Sequence, residues 1–180
     1  MSEPELRWPG LLLLALLAAC APAPKGGPYR SAGTPMYSNA VLQTDRLAGR
    51  WLQVADFAPA DAAACQAGGV TVTPEGALTL AVQADLCLGG QKRAFSGVAD
   101  VSGPGRIMLQ GADPTGIGAE WWILWVDDGY RTMVIGTPSG AFGMILDRQA
   151  QVPPDRMRAA REILAWNGYD LARLRSVSAP

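Results

Sequence analysis

The 180-residue chain contains no histidine. That single absence removes Ser-His-Asp and Cys-His catalysis, imidazole metal ligation and a histidine pH switch together. Enzyme readings therefore start at a disadvantage, and neither a metal nor another cofactor is expected. Charge is scarce as well: 17% of residues are charged, with 15 bases against 16 acids. A formal charge of −1 leaves neither a basic stripe for phosphates nor an acidic excess, which argues against nucleic acid as a partner. The N-terminal apolar run, Leu11 to Ala19, has nine residues where a bilayer span needs ~20. What is plentiful is apolar character, 49% of the chain, enough at this length for one domain with a substantial core.

The first forty residues divide by composition. Arg7 precedes the apolar run, and Leu17-Ala18-Ala19-Cys20 resembles the lipobox at which bacterial lipoproteins are cleaved before an acylated cysteine. The bland alternative is an ordinary export signal with a stray cysteine. The lipoprotein reading gives residues 1–19 as signal peptide and Cys20 as the site of lipid attachment. Residues 20–40, with Pro22, Pro24, Gly26, Gly27, Pro28, Gly33 and Pro35, then form an extended tether. Cleavage would remove one of the 15 bases (Arg7) and two of the 16 acids (Glu3, Glu5), leaving the mature side chains neutral. Attachment to a membrane would then rest on acyl chains, at roughly 0.8 kcal/mol per buried methylene, and not on electrostatics.

From Val41 the pattern changes to short runs rich in aromatic and β-branched residues. Turn signals recur between them: Pro74-Glu75-Gly76, Leu88-Gly89-Gly90, Gly103-Pro104-Gly105, Asp113-Pro114-Thr115-Gly116, Asp128-Gly129 and Pro138-Ser139-Gly140. The spacing predicts strands over 50–57, 69–74, 77–86, 92–101, 106–111, 119–127, 130–136 and 141–148. Eight antiparallel strands with short connections can close into an up-and-down β-barrel, which removes exposed edges. A β-sandwich has a similar strand count but longer Greek-key crossovers. The period then switches: Pro153-Pro154-Asp155 opens a helix and Asn167-Gly168 closes it. Met157, Ala160, Ile163 and Leu164 share one face of that C-terminal helix, which is expected to pack outside the sheet, and 171–177 reads as an added edge strand.

These features together resemble the lipocalins, and among them the bacterial outer-membrane lipocalin lipoproteins. Gly49-Arg50-Trp51 is similar to the family's Gly-x-Trp at the start of the first strand, Asp127 in Asp-Asp-Gly-Tyr to the second motif, and Arg148 at the end of the eighth strand to the third. The second motif departs from the family's usual pattern in having Val126 and Asp128 where threonine and tyrosine are common. The resemblance covers 41–180 and implies a calyx-shaped barrel whose motif arginine, Arg148, covers the motif tryptophan, Trp51, at the closed end. A guanidinium over an indole face is worth roughly 0.5–2 kcal/mol. Gly49, Trp51, Asp127 and Arg148 would be structural residues.

Strand alternation turns that contact into an inward face. If Arg148 points inward, so do Leu146, Met144 and Phe142. Two-residue turns at Pro138-Ser139 and Asp128-Gly129 would set Met144 against Met133 and Phe142 against Ile135, with Trp122 opposite Ile135 and Leu124 opposite Met133. From Trp51 the same alternation carries Gln53, Ala55 and Phe57 inward. The expected ligand-binding residues are therefore Ala55, Phe57, Trp122, Leu124, Met133, Ile135, Phe142 and Met144. A bulge would instead turn Trp121, Ile123 and Trp125 inward. A barrel of this size either fills itself with side chains or holds one small ligand, and both readings stay open.

Cys65 and Cys87 flank the hairpin that turns near Glu75-Gly76, each about eleven residues from the turn, so antiparallel register brings them face to face. A disulfide there should stabilise an exported protein by ~3 kcal/mol. Three functions compete. The first is a membrane-anchored carrier of a small hydrophobic ligand such as a fatty acid or lysophospholipid, serving lipid storage, transport or repair in the envelope. The second is a filled-barrel structural or interaction lipoprotein. The third is a lipid-modifying enzyme using Asp127 or Tyr130, which has the least to support it. Ala21 is not a retention-type aspartate, so family analogy places the anchor in the outer membrane facing the periplasm. Homodimer formation is left open.

Overall fold

The computed structural model describes residues 29–178; the N-terminal apolar run and Cys20 lie outside the described residues. The first strand, β1 (Gly49–Phe57), is followed in order by β2 (Gly69–Pro74), β3 (Thr79–Leu88), β4 (Gln91–Gly103), β5 (Arg106–Leu109), β6 (Trp121–Val126), β7 (Thr132–Gly136) and β8 (Gly143–Asp147). Each pairs antiparallel with the next, and β1 pairs with both β2 (Gly49 opposite Val72) and β8 (Leu52 opposite Asp147). That double pairing closes an eight-stranded barrel and excludes the sandwich. After β8 come α1 (Pro154–Trp166), a 3-10 turn over Leu171–Arg173, and β9 (Leu174–Ser176), which pairs with the outer end of β1. The expected edge strand is thus shorter than 171–177.

Apolar residues on β1–β8 sort into two cores. The barrel interior holds Trp51, Val72, Leu80, Leu86, Trp121, Ile123, Met133, Ile135, Phe142, Met144 and Leu146, among others. The second core lies between the barrel wall and α1: Ala160 and Leu164 of the helix pack on Leu124, Val134 and Ile145, with Met157 and Ile163 partly buried beside them. Proline at the first turn and Gly168 at φ 83 after the last give the helix its entry and exit. Arg156 ties its start to the sheet, reaching Asp147 at 3.2 Å and the Thr132 hydroxyl at 2.7 Å.

Two bulges correct the inward face expected from simple alternation. In β1 the register against β8 shifts between Gln53 and Ala55, so Gln53 stays inside while Ala55 and Phe57 turn to the outer core. In β6 the shift falls between Ile123 and Trp125. It puts Trp121, Ile123 and Val126 inside, and sends Trp122, Leu124 and Trp125 outward under the helix. An extra residue reverses every side chain beyond it, because the pleat has a period of two. The β7–β8 loop is also longer than two residues: Ile135 pairs with Met144 and Met133 with Leu146, a shift of two that leaves the inward face unchanged. Asp127 and Thr132 bracket a longer β6–β7 loop as well, with the Asp127 N–H donating to the Thr132 carbonyl at 3.1 Å.

Part of the segment expected as tether is laid against the barrel. Tyr29 and Arg30 are buried. The Arg30 guanidinium donates to the carbonyls of Asn167 (3.1 Å), Pro138 (2.8 Å) and Thr34. Further along, the Asn39 N–H reaches the Ile123 carbonyl at 2.7 Å. Residues 29–39 therefore form a strap from the α1 exit to β6. Few of them are apolar, and hydrogen bonds hold the strap where periodicity predicts no element.

Candidate ligand site: floor, interior and mouth

The closed end is built around Trp51. Its indole has no surface that water reaches, and its N–H donates to the Leu47 carbonyl at 2.8 Å. Arg148 lies flat on it, with the guanidinium carbon 3.7 Å from the ring centroid. The same guanidinium donates to the carbonyls of Arg50 (2.8 Å), Arg46 (3.2 Å) and Tyr130 (3.3 Å). Gly49 makes room for it: at φ +94, a Cβ there would stand 3.3 Å from Arg148 Nη1. Asp127 organises the adjacent loop, accepting from the backbone N–H groups of Arg131 (2.5 Å) and Thr132 (2.7 Å) and from the Arg131 guanidinium (2.8 Å). Burial alone would raise its pKa, but these hydrogen bonds and the Arg131 charge outweigh burial and hold the carboxyl below its ordinary range.

Above this floor the barrel is filled. Ile123, Met144, Leu146 and Leu86 expose no surface at all, so no water-sized void touches them. Of the residues expected to line a ligand space, Met133, Ile135, Phe142 and Met144 are in this interior core, while Ala55, Phe57, Trp122 and Leu124 are not. Phe142 caps the filling near the top, with Trp121 edge-on at 6.5 Å.

The open end carries a cavity of about 340 Å³ lined by Tyr29, Leu88, Gln91, Arg93, Thr115 and Phe142 with neighbouring loop residues. This is within the range of small-molecule sites, at its lower end. It combines an apolar base, Leu88 and Phe142, with a cationic rim at Arg93. Alternation along strands singled out Phe142 but not the others, because Leu88, Gln91 and Arg93 sit at strand ends beside the β3–β4 loop, Thr115 in the β5–β6 loop and Tyr29 ahead of the barrel. The signal was nonetheless present: once Trp51 and Arg148 define the floor, those loops must form the other end.

A side wall near the mouth has its own construction. β2 begins only at Gly69, which crosses so close to β1 that a Cβ would lie 2.0 Å from the Trp51 carbonyl oxygen. Beyond it β1 meets β3 through side chains. The Gln53 amide donates to the Cys87 carbonyl at 2.8 Å and accepts from the Cys87 N–H at 2.7 Å, and Asp56 accepts from the Gly90 N–H at 3.0 Å. The Cys65–Cys87 disulfide, with Cα atoms 6.1 Å apart, pins the covering loop over this seam. Asp56 is buried there, one carboxylate oxygen has no hydrogen-bond partner among the described residues, and burial pushes its pKa up to about 7.

Comparison with known proteins addresses the whole of this architecture. The family model of the lipocalin-like domain matches residues 42–179, which include the barrel, the helix and the floor residues just described. The chain belongs to the lipocalin family. Temperature-induced lipocalin-1 of Arabidopsis thaliana is 25% identical over 146 residues, covering 74% of this lipocalin and 77% of the plant protein. Among solved structures, apocrustacyanin C2 superposes with a TM-score of 0.56 at 14% identity, covering 86% of this chain and 90% of its own. The siderocalin Ex-FABP, described as having dual ligand specificities, gives a TM-score of 0.56 at 18% identity over 75% of this chain and 95% of its own. At such identities these structures establish the barrel fold and nothing finer. Lipocalins typically bind small hydrophobic ligands and are generally binding or transport proteins.

Proposed function

We propose that this lipocalin is a binding protein for a single-chain amphipathic lipid, a fatty acid or lysophospholipid, anchored through acylated Cys20 in the outer membrane of a bacterial envelope and facing the periplasm. The observation that carries the ligand reading is the mouth cavity of about 340 Å³, where Arg93 stands at the rim of an apolar base formed by Leu88 and Phe142. The anionic head pairs with the guanidinium, and the tail enters by displacing Phe142 toward the thioethers of Met133 and Met144, which repack at little cost. Lipid attachment draws its support from the Leu-Ala-Ala-Cys sequence ending at Cys20. The non-enzymatic reading is supported by Asp127 and Tyr130. Asp127 is tied to Arg131 and Thr132, and Tyr130 lies under the Arg46 guanidinium at 3.9 Å with its hydroxyl accepting from the Gln43 N–H. Both stand at the floor, opposite the mouth.

Titration with palmitate tests the ligand. Trp121, edge-on to Phe142, should report entry through its emission, and native mass spectra should show one bound lipid. An unchanged emission together with lipid-free spectra overturns the reading. The complete exclusion of water from Ile123, Met144 and Leu146 favours a second reading, a filled barrel that acts through its surface. A palmitate complex in which those side chains have moved decides against it.

A further inference from the structure

The strap, the helix exit and the mouth meet at one corner of the molecule. Tyr29 is the first described residue and lines the mouth cavity. Its N–H donates to the Gly140 carbonyl of the β7–β8 connection at 2.7 Å, and its carbonyl accepts from the Asp170 N–H at 2.9 Å. The helix α1 runs toward the same end. Its start is held at the floor side by Arg156 on Asp147, and at its exit the Gly168 carbonyl accepts from the Ser31 N–H at 2.9 Å. Tyr169 then reaches the Phe142 carbonyl at 2.8 Å.

At this exit the surface is aromatic. Trp166 is 76% exposed, and Tyr37, whose N–H is held by the Asn167 side chain at 3.1 Å, is 64% exposed. Both residue types join a large apolar body to a polar tip, the chemistry that the headgroup region of a bilayer accommodates. The length of chain ahead of Tyr29 restricts what can cover them. Cys20 is nine residues earlier in the sequence, and nine residues reach at most ~30 Å when fully extended. A lipid on Cys20 therefore holds the mouth corner, where the described chain begins, within ~30 Å of the membrane surface.

We infer that the open end of the barrel docks on the bilayer that holds Cys20, with Trp166 and Tyr37 in its interfacial layer. The inference rests on the anchoring reading above. Docked this way, the mouth exchanges a lipid with the membrane over a short path, and the floor faces solvent.

The test separates the two claims. Mass analysis of the full chain made in a Gram-negative host reports whether Cys20 is acylated. In parallel, the chain from residue 20 onward, which holds the strap, barrel and helix, carries an N-terminal hexahistidine tag in place of the acyl groups. The tag tethers it to nickel-chelating vesicles of phosphatidylethanolamine and phosphatidylglycerol with brominated acyl chains. The expected result is quenching of roughly a fifth of the tryptophan emission, the share of one interfacial indole among five, abolished by Trp166→Gln and by release with imidazole. Trp166 is exposed, so the substitution leaves the barrel intact. Equal quenching in wild type and Trp166→Gln, or none in either, overturns the docking. Unmodified Cys20 with Trp166-dependent quenching removes the anchor and leaves the docking surface standing.

Discussion

At the closed end one guanidinium joins three carbonyls that are distant in sequence, whereas at the open end the hydrogen bonds that Arg93 makes among the described residues stay within its own hairpin, to the Lys92 carbonyl and the Gln91 side chain. The floor is thus tied by long-range contacts that close only when the barrel closes. The Arg93 rim of the mouth is held by local ones that survive rearrangement, while its opposite side is tied to the strap and the helix exit through Tyr29 and Tyr169. A binding barrel needs this asymmetry: one end keeps the strands together while the other changes shape.

Substitutions at the two ends should therefore separate stability from binding. Trp51→Ala removes a fully buried indole and its hydrogen bond, and urea unfolding should show a loss of ~3–5 kcal/mol. Asp56, nearer the mouth, should give a pH effect of a few kcal/mol. Its folded pKa of about 7 is raised above the ordinary 3.8, so the native state binds the extra proton. Stability from this group is full below about pH 4 and falls as pH rises toward 7; Asp56→Asn should flatten that slope, and an unchanged slope in thermal melts would contradict the assignment. Opening the disulfide by Cys65→Ser with Cys87→Ser should cost ~3 kcal/mol and loosen the seam, visible as faster amide exchange at Cys87 in the reduced wild type. Arg148→Met should cost ~1–3 kcal/mol by losing the indole contact and leaving carbonyls without a donor, with palmitate affinity unchanged. Arg93→Ala should shift stability by less than about 0.5 kcal/mol yet weaken palmitate binding. Equal binding losses for Arg148→Met and Arg93→Ala would erase the distinction between the ends.

Much of the barrel was legible because its turns carry Gly, Pro and Asp at regular intervals, and because Gly49, Trp51 and Arg148 mark the start and finish of one closed sheet. The inner face was legible on β7 and β8, where no register shift intervenes. It was not legible on β1 and β6. Trp121 to Val126 are apolar without exception, since one face meets the barrel interior and the other meets α1, and a strand covered on both sides has no alternation to read. The bulge at Leu124 leaves no mark in such a run. The mouth residues other than Phe142 escaped for a different reason: they lie in loops, at strand ends beside them or ahead of the barrel, where position follows from topology and not from periodicity. The strap escaped because Arg30 holds it by donating to carbonyls of Asn167 and Pro138, residues far away in sequence.

That strap also has a mechanical consequence. A pull on the chain ahead of Tyr29 first loads the bonds of Tyr29 to Gly140 and Asp170, then those of Arg30 and Ser31 at the helix exit, and only after these peel does it load Asn39 on Ile123. Strand β1, whose pairing with β2 and β8 closes the barrel, begins ten residues beyond Asn39 and is the last element to feel the force. Tension on the N-terminal side is thus dissipated along the outer wall before it reaches the seam that keeps the sheet shut.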